Sequence, residues 1–299
     1  MSATEGSIAI GVDVGGTHIR AAAVNEAGRV LARRRRPTAE VDSATRLIGW
    51  VVEAASQLRS GAGISNDNSV PLGVAVPGVL DANHMTLLRS VNLPFMEGVP
   101  IRSTITEQTG QSCALVTDAD AATWGEYATR TPKPGRFVHL RIGTGVACGV
   151  VVDGKLQEFV RHGGKHLDVM IVDRTPNAIP CRCGLTGCLE TLASGAAFGD
   201  RARERGLSGG LEGFVQAYHR GDKRVVELVT DGAGAIREAV VNLAARFQPD
   251  VISVGGGVVT VLPELLAIVT AGEGPAIERA RLGDDAGAVG AALLGRTAL

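Results

Sequence analysis

An apolar strand that runs into a glycine turn, and does so twice, constrains this chain more than any other feature. Ile8-Ala-Ile-Gly-Val-Asp-Val-Gly-Gly-Thr17 is echoed by Val138-His-Leu-Arg-Ile-Gly-Thr-Gly145. Glycines tolerate positive φ and let backbone N–H groups approach an anion, and a threonine adds a neutral donor, so such a turn can wrap phosphates. After each turn comes a second apolar strand, Ile19 to Val24 and Val146 to Val152. A hairpin signal follows, Asn25-Glu-Ala-Gly28 or Asp153-Gly154, and then a third strand. A single Gly-Gly-Thr would carry little weight in a glycine-rich α/β chain. Its duplication, with an acid at Asp13, predicts two related halves clasping one polyphosphate.

The 299 residues, 45% of them apolar, suffice for one large or two medium domains with proper cores. A formal net charge of −1 argues against a partner bound by neutralising nucleic-acid phosphates. The basic run Arg33 to Arg36, just before Pro37, reads as a solvated strand edge. Met1-Ser-Ala-Thr-Glu-Gly-Ser7 lacks the basic start and apolar core of a signal peptide, and no apolar run approaches bilayer-spanning length. A cytoplasmic location without a membrane partner is expected. Of five cysteines, three crowd into Cys181-Arg-Cys-Gly-Leu-Thr-Gly-Cys188, which suits metal ligation in a reducing compartment better than disulfides. Cys113 and Cys148 read as small core residues.

Periodicity predicts a helix over Ser43–Leu58, a buried strand at Leu72–Val76 running into Pro77-Gly78, and a helix over Ile101–Thr109. A short strand, Ala114–Val116, then delivers Thr117-Asp-Ala-Asp120, and helix continues over Ala121–Ala128. Helices are expected over Ala233–Phe247 and Ala286–Leu294, with the strand Val251–Val254 and a third glycine turn, Gly255 to Gly257, between them. The last helix is rich in alanine and glycine and suits close packing. Asp173–Ile179 and Gly206–Gly213 read as loops. Strands followed by helices make this an α/β protein, and an acid beyond a strand's carboxyl end, as at Asp118, is well placed for chemistry. For Asp120 an N-cap role is the fair alternative.

In this order, several motifs resemble the ROK family (repressors, open reading frames and sugar kinases) of the actin-like, hexokinase-like ATPase superfamily. They are Asp13-Val-Gly-Gly-Thr17, Gly73-Val-Ala-Val-Pro-Gly78, Asn92-Leu-Pro94, Asp118 with Ala121-Ala122 and Glu126, and Gly143-Thr-Gly145. Cys181-x-Cys-Gly-x-x-Gly-Cys-Leu-Glu190, Gly255-Gly-Gly257 and Gly290-Ala-Ala292 complete the series. The resemblance spans nearly the whole chain. It implies a two-domain actin-like (ribonuclease H-like) fold with an interdomain cleft. Residues 1–115 would form a small α/β domain completed by the helix of 286–299, and residues 116–285 a larger domain with a zinc-binding loop.

The same resemblance implies ATP and Mg²⁺, with Asp13 helping to hold the metal through water. Gly15, Gly16, Thr17, Gly143, Thr144 and Gly145 would face phosphates, and Gly255, Gly256 and Gly257 the adenosine. Asp118 resembles the family's catalytic base, which takes the proton of a primary sugar hydroxyl as its oxygen attacks the γ-phosphoryl. Gly78, Asn92, Thr117, Lys165, His166 and Glu190 would join Asp118 around the acceptor. Cys181, Cys183 and Cys188 resemble three ligands of a structural zinc, and a homodimer is implied.

Two departures from the family pattern bear on the acceptor. In place of the family's Glu-x-Gly-His, the chain reads His162-Gly-Gly-Lys-His-Leu-Asp168, so the usual glutamate has no clear equivalent. The fourth zinc ligand is His166 or Asp168, with His166 preferred as the commoner partner of thiolates. Where the family has Asn-Asp, this chain has Thr117-Asp118. Losing both hydroxyl-reading groups argues against plain glucose. Lys165, facing the pocket, would favour an oxygen-rich or keto group.

The expectation is therefore an ATP-dependent kinase of a hexose-like polyol: a modified sugar, an amino sugar or a sugar-derived C7-cyclitol. A glucokinase with an unusual rim is the alternative within the class, and a catalytically silent sugar sensor the alternative outside it. The family's repressors carry a helix-turn-helix ahead of the glycine turn, and only a few residues precede Ile8 here, so DNA binding is not expected.

Overall fold

The computed structural model describes residues 7–62, 69–159, 166–270 and 276–297. The chain divides into two compact units, Met1–Lys133 with Asp284–Leu299, and Pro134–Gly283.

The first unit runs β1 (Ala9–Val14), β2 (His18–Val24), β3 (Val30–Pro37), α1 (Ala44–Gly61), β4 (Leu72–Val76) and the small hairpin β5 (Val79–Leu80) and β6 (Leu87–Arg89). It continues through α2 (Ile101–Thr109), β7 (Cys113–Thr117) and α3 (Asp118–Ala128). The second unit holds β8 (Arg136–Ile142), β9 (Val146–Val152), β10 (Lys155–Leu156), α4 (Glu190–Ala193), α5 (Gly195–Glu204), α6 (Gly210–His219) and α7 (Lys223–Phe247). β11 (Val251–Gly255), α8 (Gly257–Val261), α9 (Glu264–Thr270) and β12 (Ala276–Arg279) complete it, and α10 (Ala286–Thr297) belongs to the first unit.

The two main sheets share one plan. Their orders are β3-β2-β1-β4-β7 and β10-β9-β8-β11-β12, each an antiparallel meander of three strands followed by two parallel strands. The duplicated turn motif is thus the visible part of a duplicated topology. Its hairpins close as the sequence suggests. Asp153 (φ 48°) and Gly154 (φ 75°) form a two-residue turn with both residues left-handed, which matches the strand twist. In the first unit the Asn25 side chain accepts from the amides of Ala27 and Arg29.

Strand alternation sends Ile10, Val12, Leu72, Val74 and Leu115 into one core with Leu47, Val51 and Leu58 of α1. The opposite face carries small residues because α10 lies directly on it. A β-carbon at Gly11 would stand 2.5 Å from the amide nitrogen of Ala292, and one at Gly73 equally close to the carbonyl carbon of Ala291. On α10 itself, a side chain at Gly290 would meet the carbonyl carbon of Ala121 in α3 at 2.6 Å. The alanine and glycine of the last helix are what this approach requires. The second core gathers Val138, Leu140, Ile252 and Val254 with Phe198, Phe214, Leu228, Ile236 and Leu243 from the covering helices.

The division after Lys133 lies downstream of residue 115, where the first domain was expected to end. β7 completes the first sheet beside β4, and α3 packs on α10, which draws both into the first unit. Helix α7 starts at Lys223, ten residues before the expected Ala233. Gly232 and Gly234 imitate a helix break, but Gly232 makes room for the Phe198 ring, 2.6 Å from where a β-carbon would stand. Likewise, Gly210–Gly213 opens α6 rather than extending a loop, and Gly213 lets its backbone abut the Ser208 carbonyl. Cys113 and Cys148 are buried, and burial pushes the Cys113 thiol up to about 12. β3 is an edge strand, and two of its four consecutive arginines are held: Arg33 by Asp285 at 2.6 Å and Arg36 by Glu40 at 3.0 Å. No helix among the described residues is long and apolar enough to cross a membrane.

Candidate active site

In the first unit, β1, β4 and β7 are parallel neighbours with Asp13 opposite Ala75, and Ala75 opposite Val116. Their carboxyl ends therefore deliver the Gly15–Thr17 turn, Pro77-Gly78 and Thr117-Asp118 to one sheet edge, where ligands collect in open α/β sheets. The first turn is buttressed from the 3-10 turn that follows β3. Thr38 donates its hydroxyl to the Gly15 carbonyl at 2.7 Å and its amide to the Thr17 carbonyl at 2.9 Å. Gly16 and Thr17 are exposed, and Asn92 flanks them: a β-carbon on Gly16 would stand 3.4 Å from Asn92 Nδ2. Asn92 is held there by Ser90, whose hydroxyl donates to the Pro77 carbonyl and accepts from the Leu93 amide. Neither Thr38 nor Ser90 stands out in the sequence; only Pro37 and Pro77, which end their strands, mark the places.

Asp13 is 1% exposed and lies against the start of α10, where the field of the helix N-terminus favours a carboxylate. Asp118 opens α3 half-buried, and its Oδ1 accepts from the Ala119 amide at 3.0 Å. The N-cap of α3 is Thr117, not Asp120. Thr117 Oγ1 accepts from the Asp120 amide at 3.2 Å and donates to Asp120 Oδ2 at 2.7 Å. The hydroxyl thus spends its donor inside the chain, a cost in ligand-reading capacity that the sequence did not reveal.

In the second unit, the Gly143–Gly145 turn closes on itself by Gly143 N to Gly145 O, 2.8 Å. Its outer carbonyls accept from the first amides of α5, Gly195 to Gly143 and Ala196 to Thr144, while Ser194 caps the next amide. Gly256, at φ 101°, brings the loop after β11 onto the end of β8: a β-carbon there would meet the Ile142 carbonyl carbon at 2.6 Å. Gly255 to Gly257 and Gly143 to Gly145 are therefore neighbours. Positive φ is not what places glycines in these two turns. Gly15, Gly16, Gly143 and Gly145 all keep φ outside the left-handed range; a side chain at Gly15 would meet the His18 carbonyl oxygen at 2.8 Å, and one at Gly145 would have to displace the Glu190 carboxylate.

Beside this turn, His166, Cys181, Cys183 and Cys188 converge, all buried, with their ligand atoms within 4.8 Å of one another. Cys183 Sγ and Cys188 Sγ are 3.6 Å apart, and Cys181 Sγ lies 3.7 Å from His166 Nδ1. Bonds of about 2.3 Å in a tetrahedral zinc–thiolate site place sulfurs roughly 3.8 Å apart, so spacing and chemistry both fit zinc. Asp168 is exposed and outside this group. A hydrogen bond from Cys188, and one from His166, draw the Cys181 thiol down despite burial. The same Cys181 contact and burial drive the Cys188 thiol well up. His166 turns Nε2 toward the Val146 carbonyl (3.2 Å) and Glu190 Oε2 (3.3 Å). Both ring nitrogens thus face protein groups, an arrangement that suits metal ligation. Glu190 Oε2 in turn accepts from the Val146 amide at 2.9 Å. Lys165 lies outside the described residues.

The model of the ROK family matches residues 9–298. This chain belongs to the ROK family. As a ROK protein it is 26% identical over 296 residues to N-acetylmannosamine kinase of Yersinia pseudotuberculosis serotype O:1b, covering 97% of this chain and 99% of that one. Among solved structures it is similar to a ROK family glucokinase from Streptomyces griseus in complex with glucose and AMPPNP. There the TM-score is 0.78 at 26% identity, with 97% of this chain and 100% of that one covered. It is also similar to the ROK hexokinase of Thermus thermophilus, with TM-score 0.76 at 30% identity and coverage of 96% and 97%. The two-unit α/β architecture accords with the actin-like ATPase fold expected of a ROK chain.

Proposed function

We propose that this ROK protein is an ATP-dependent kinase that transfers the γ-phosphoryl group to a primary hydroxyl of a sugar. The observation that carries the reading is Asp118, half-buried at the strand edge that also presents the Gly15–Thr17 turn. Asp118 takes the hydroxyl proton, the sugar oxygen forms its bond to phosphorus, and the bond to the β-phosphate oxygen breaks, its electron pair leaving with ADP. Positioning and charge stabilisation do most of the work in such a transfer. Asp13 would hold Mg²⁺, and the ion would supply neutralisation of developing phosphate charge. Gly15 to Thr17 and Gly143 to Gly145 face the phosphates, and Gly255 to Gly257 the adenosine. His166, Cys181, Cys183 and Cys188 hold a structural zinc, and the protein acts as a cytoplasmic homodimer.

For the acceptor, the reading favours an amino or otherwise modified hexose over plain glucose. Thr117 gives its hydroxyl to Asp120, so no group there offers the donor-and-acceptor pair of an asparagine. The relative at 26% identity is a kinase of an N-acetylated amino sugar. A C7-cyclitol belongs in the same acceptor panel.

The test is ADP release with glucose, mannose, N-acetylmannosamine, free amino hexoses and a C7-cyclitol, repeated with Asp118→Asn. The expected result is a preference for an amino or modified hexose over glucose, and a loss of turnover of about 10²- to 10⁴-fold in the variant, the range that loss of a general base removes. Unchanged turnover in Asp118→Asn would overturn the assignment of the base. Measurable sugar binding without ADP release from any acceptor would instead favour a silent sensor.

A further inference from the structure

Glu190 stands at the junction of the metal cluster and the second glycine turn. Its Oε2 accepts from the Val146 amide at 2.9 Å, lies 3.3 Å from His166 Nε2, and would stand 2.5 Å from a β-carbon on Gly145. The absence of a side chain at Gly145 is what lets this oxygen reach the turn. His166 closes the loop from the other side, with Nε2 3.2 Å from the Val146 carbonyl. Val146 is thus held at both its amide and its carbonyl. The carboxylate is largely buried, at 12% exposure, and its partner histidine is at 1%. A buried carboxylate bonded to an amide and an imidazole is strongly directional.

From this geometry we infer that Glu190 is a positioning residue for the phosphate turn. It locks the Gly143–Gly145 backbone to the Cys181/Cys183/Cys188/His166 cluster, so that nucleotide affinity depends on the cluster being intact. The inference rests on the reading of Gly143–Gly145 as a phosphate-facing turn. A purely acceptor-binding Glu190 would affect sugar affinity and leave nucleotide affinity alone. A turn released from the clamp must instead be ordered by the nucleotide at the moment of binding, and the cost appears in the nucleotide's own dissociation constant.

The experiment is calorimetric titration of Mg²⁺–ADP, with no sugar present, into the full chain, Glu190→Gln and Glu190→Ala, with the zinc content of each measured. The wild type is also titrated after depletion of zinc and return of Mg²⁺. A lost charge-assisted hydrogen bond corresponds to roughly 10- to 100-fold in affinity. The expected result is an ADP Kd raised by about that factor in both variants at full zinc content, and raised similarly in the zinc-depleted protein. Glu190→Gln keeps the shape of the side chain and guards against a folding defect. An ADP Kd within twofold of wild type, with only the sugar KM raised, would overturn the inference while leaving the kinase reading intact. Loss of zinc from Glu190→Gln would also overturn it, by making Glu190 a support of the cluster rather than of the turn. If the wild type binds no ADP, both the inference and the reading beneath it fall.

Discussion

The carboxylate of Asp13 rests on the backbone of Gly287: a β-carbon at Gly287 would stand 2.5 Å from Asp13 Cγ. The acid at the end of β1 is thereby positioned by the first turn of a helix more than 270 residues downstream. Gly287→Ala should push the carboxylate aside. Because Asp13 is proposed to hold Mg²⁺, the Mg²⁺ concentration for half-maximal turnover should rise severalfold, with Asp13→Asn moving it further in the same direction. A Mg²⁺ titration of initial rates checks this, and an unmoved midpoint in both variants would remove Asp13 from the metal's surroundings.

Two glycine substitutions should have opposite effects on stability. In Gly73→Ala the new carbon would meet the backbone of Ala291, which cannot swing away, so α10 must lift. Overpacking of this kind costs about 1–3 kcal/mol, and this contact belongs at the upper end. Gly49 lies on the exposed face of α1 with nothing within 4 Å of its would-be side chain, and Gly49→Ala should stabilise by about 0.5–1 kcal/mol through helix propensity. Thermal melts should move in opposite directions.

Removing one buried sulfur should empty the metal cluster. Cys183→Ser is expected to lower bound zinc to below one equivalent and to destabilise by about 3 kcal/mol, which for a unit of this size is roughly 6–12 °C in Tm. Metal analysis and a melt in parallel test it. Full zinc retention in the variant would exclude Cys183 as a ligand.

Helix α7 is capped by Asp222, whose side chain accepts from the Arg224 amide at 3.0 Å and pairs with its guanidinium at 2.6 Å. The Arg224 side chain, its amide and its charge hold the Asp222 carboxyl down at about 2. A carboxylate with a depressed folded pKa stabilises above its unfolded value of about 4, and that stabilisation is lost as pH falls through about 2. Asp222→Ala should therefore lower Tm at pH 7 and leave it nearly unchanged at pH 2. Asp222 is half-buried but its partner Arg224 is exposed, so salt should shrink the difference.

What the sequence made legible was what depends on local pattern. Ile101–Thr109 and Val146–Val152 are helix and strand over the spans their periodicity indicated, and the repeated strand–turn–strand unit anticipated two sheets of one topology. The metal-type cysteines declared themselves by spacing, and the choice between His166 and Asp168 as their companion awaited geometry, which puts only His166 among them. What stayed hidden were partnerships across the fold. Nothing near Gly145 announces that Glu190 occupies its side-chain space, nothing near Gly11 or Gly73 announces α10, and Thr117 reads as a ligand-facing residue until Asp120 takes its hydroxyl. Gly210 and Gly232 misled because glycine marks both a break in a helix and a close approach to one.

The place of α10 has a consequence for how the molecule is made. Strands β1, β4 and β7 leave the ribosome early, yet the helix that covers their glycine face follows only after the whole 134–283 stretch has been translated. The middle of the chain is continuous and can mature on the ribosome as it emerges, while the earlier sheet waits with one side uncovered. A chain released after truncation just before Ala286 should thus hold a protease-resistant middle and a cleavable beginning.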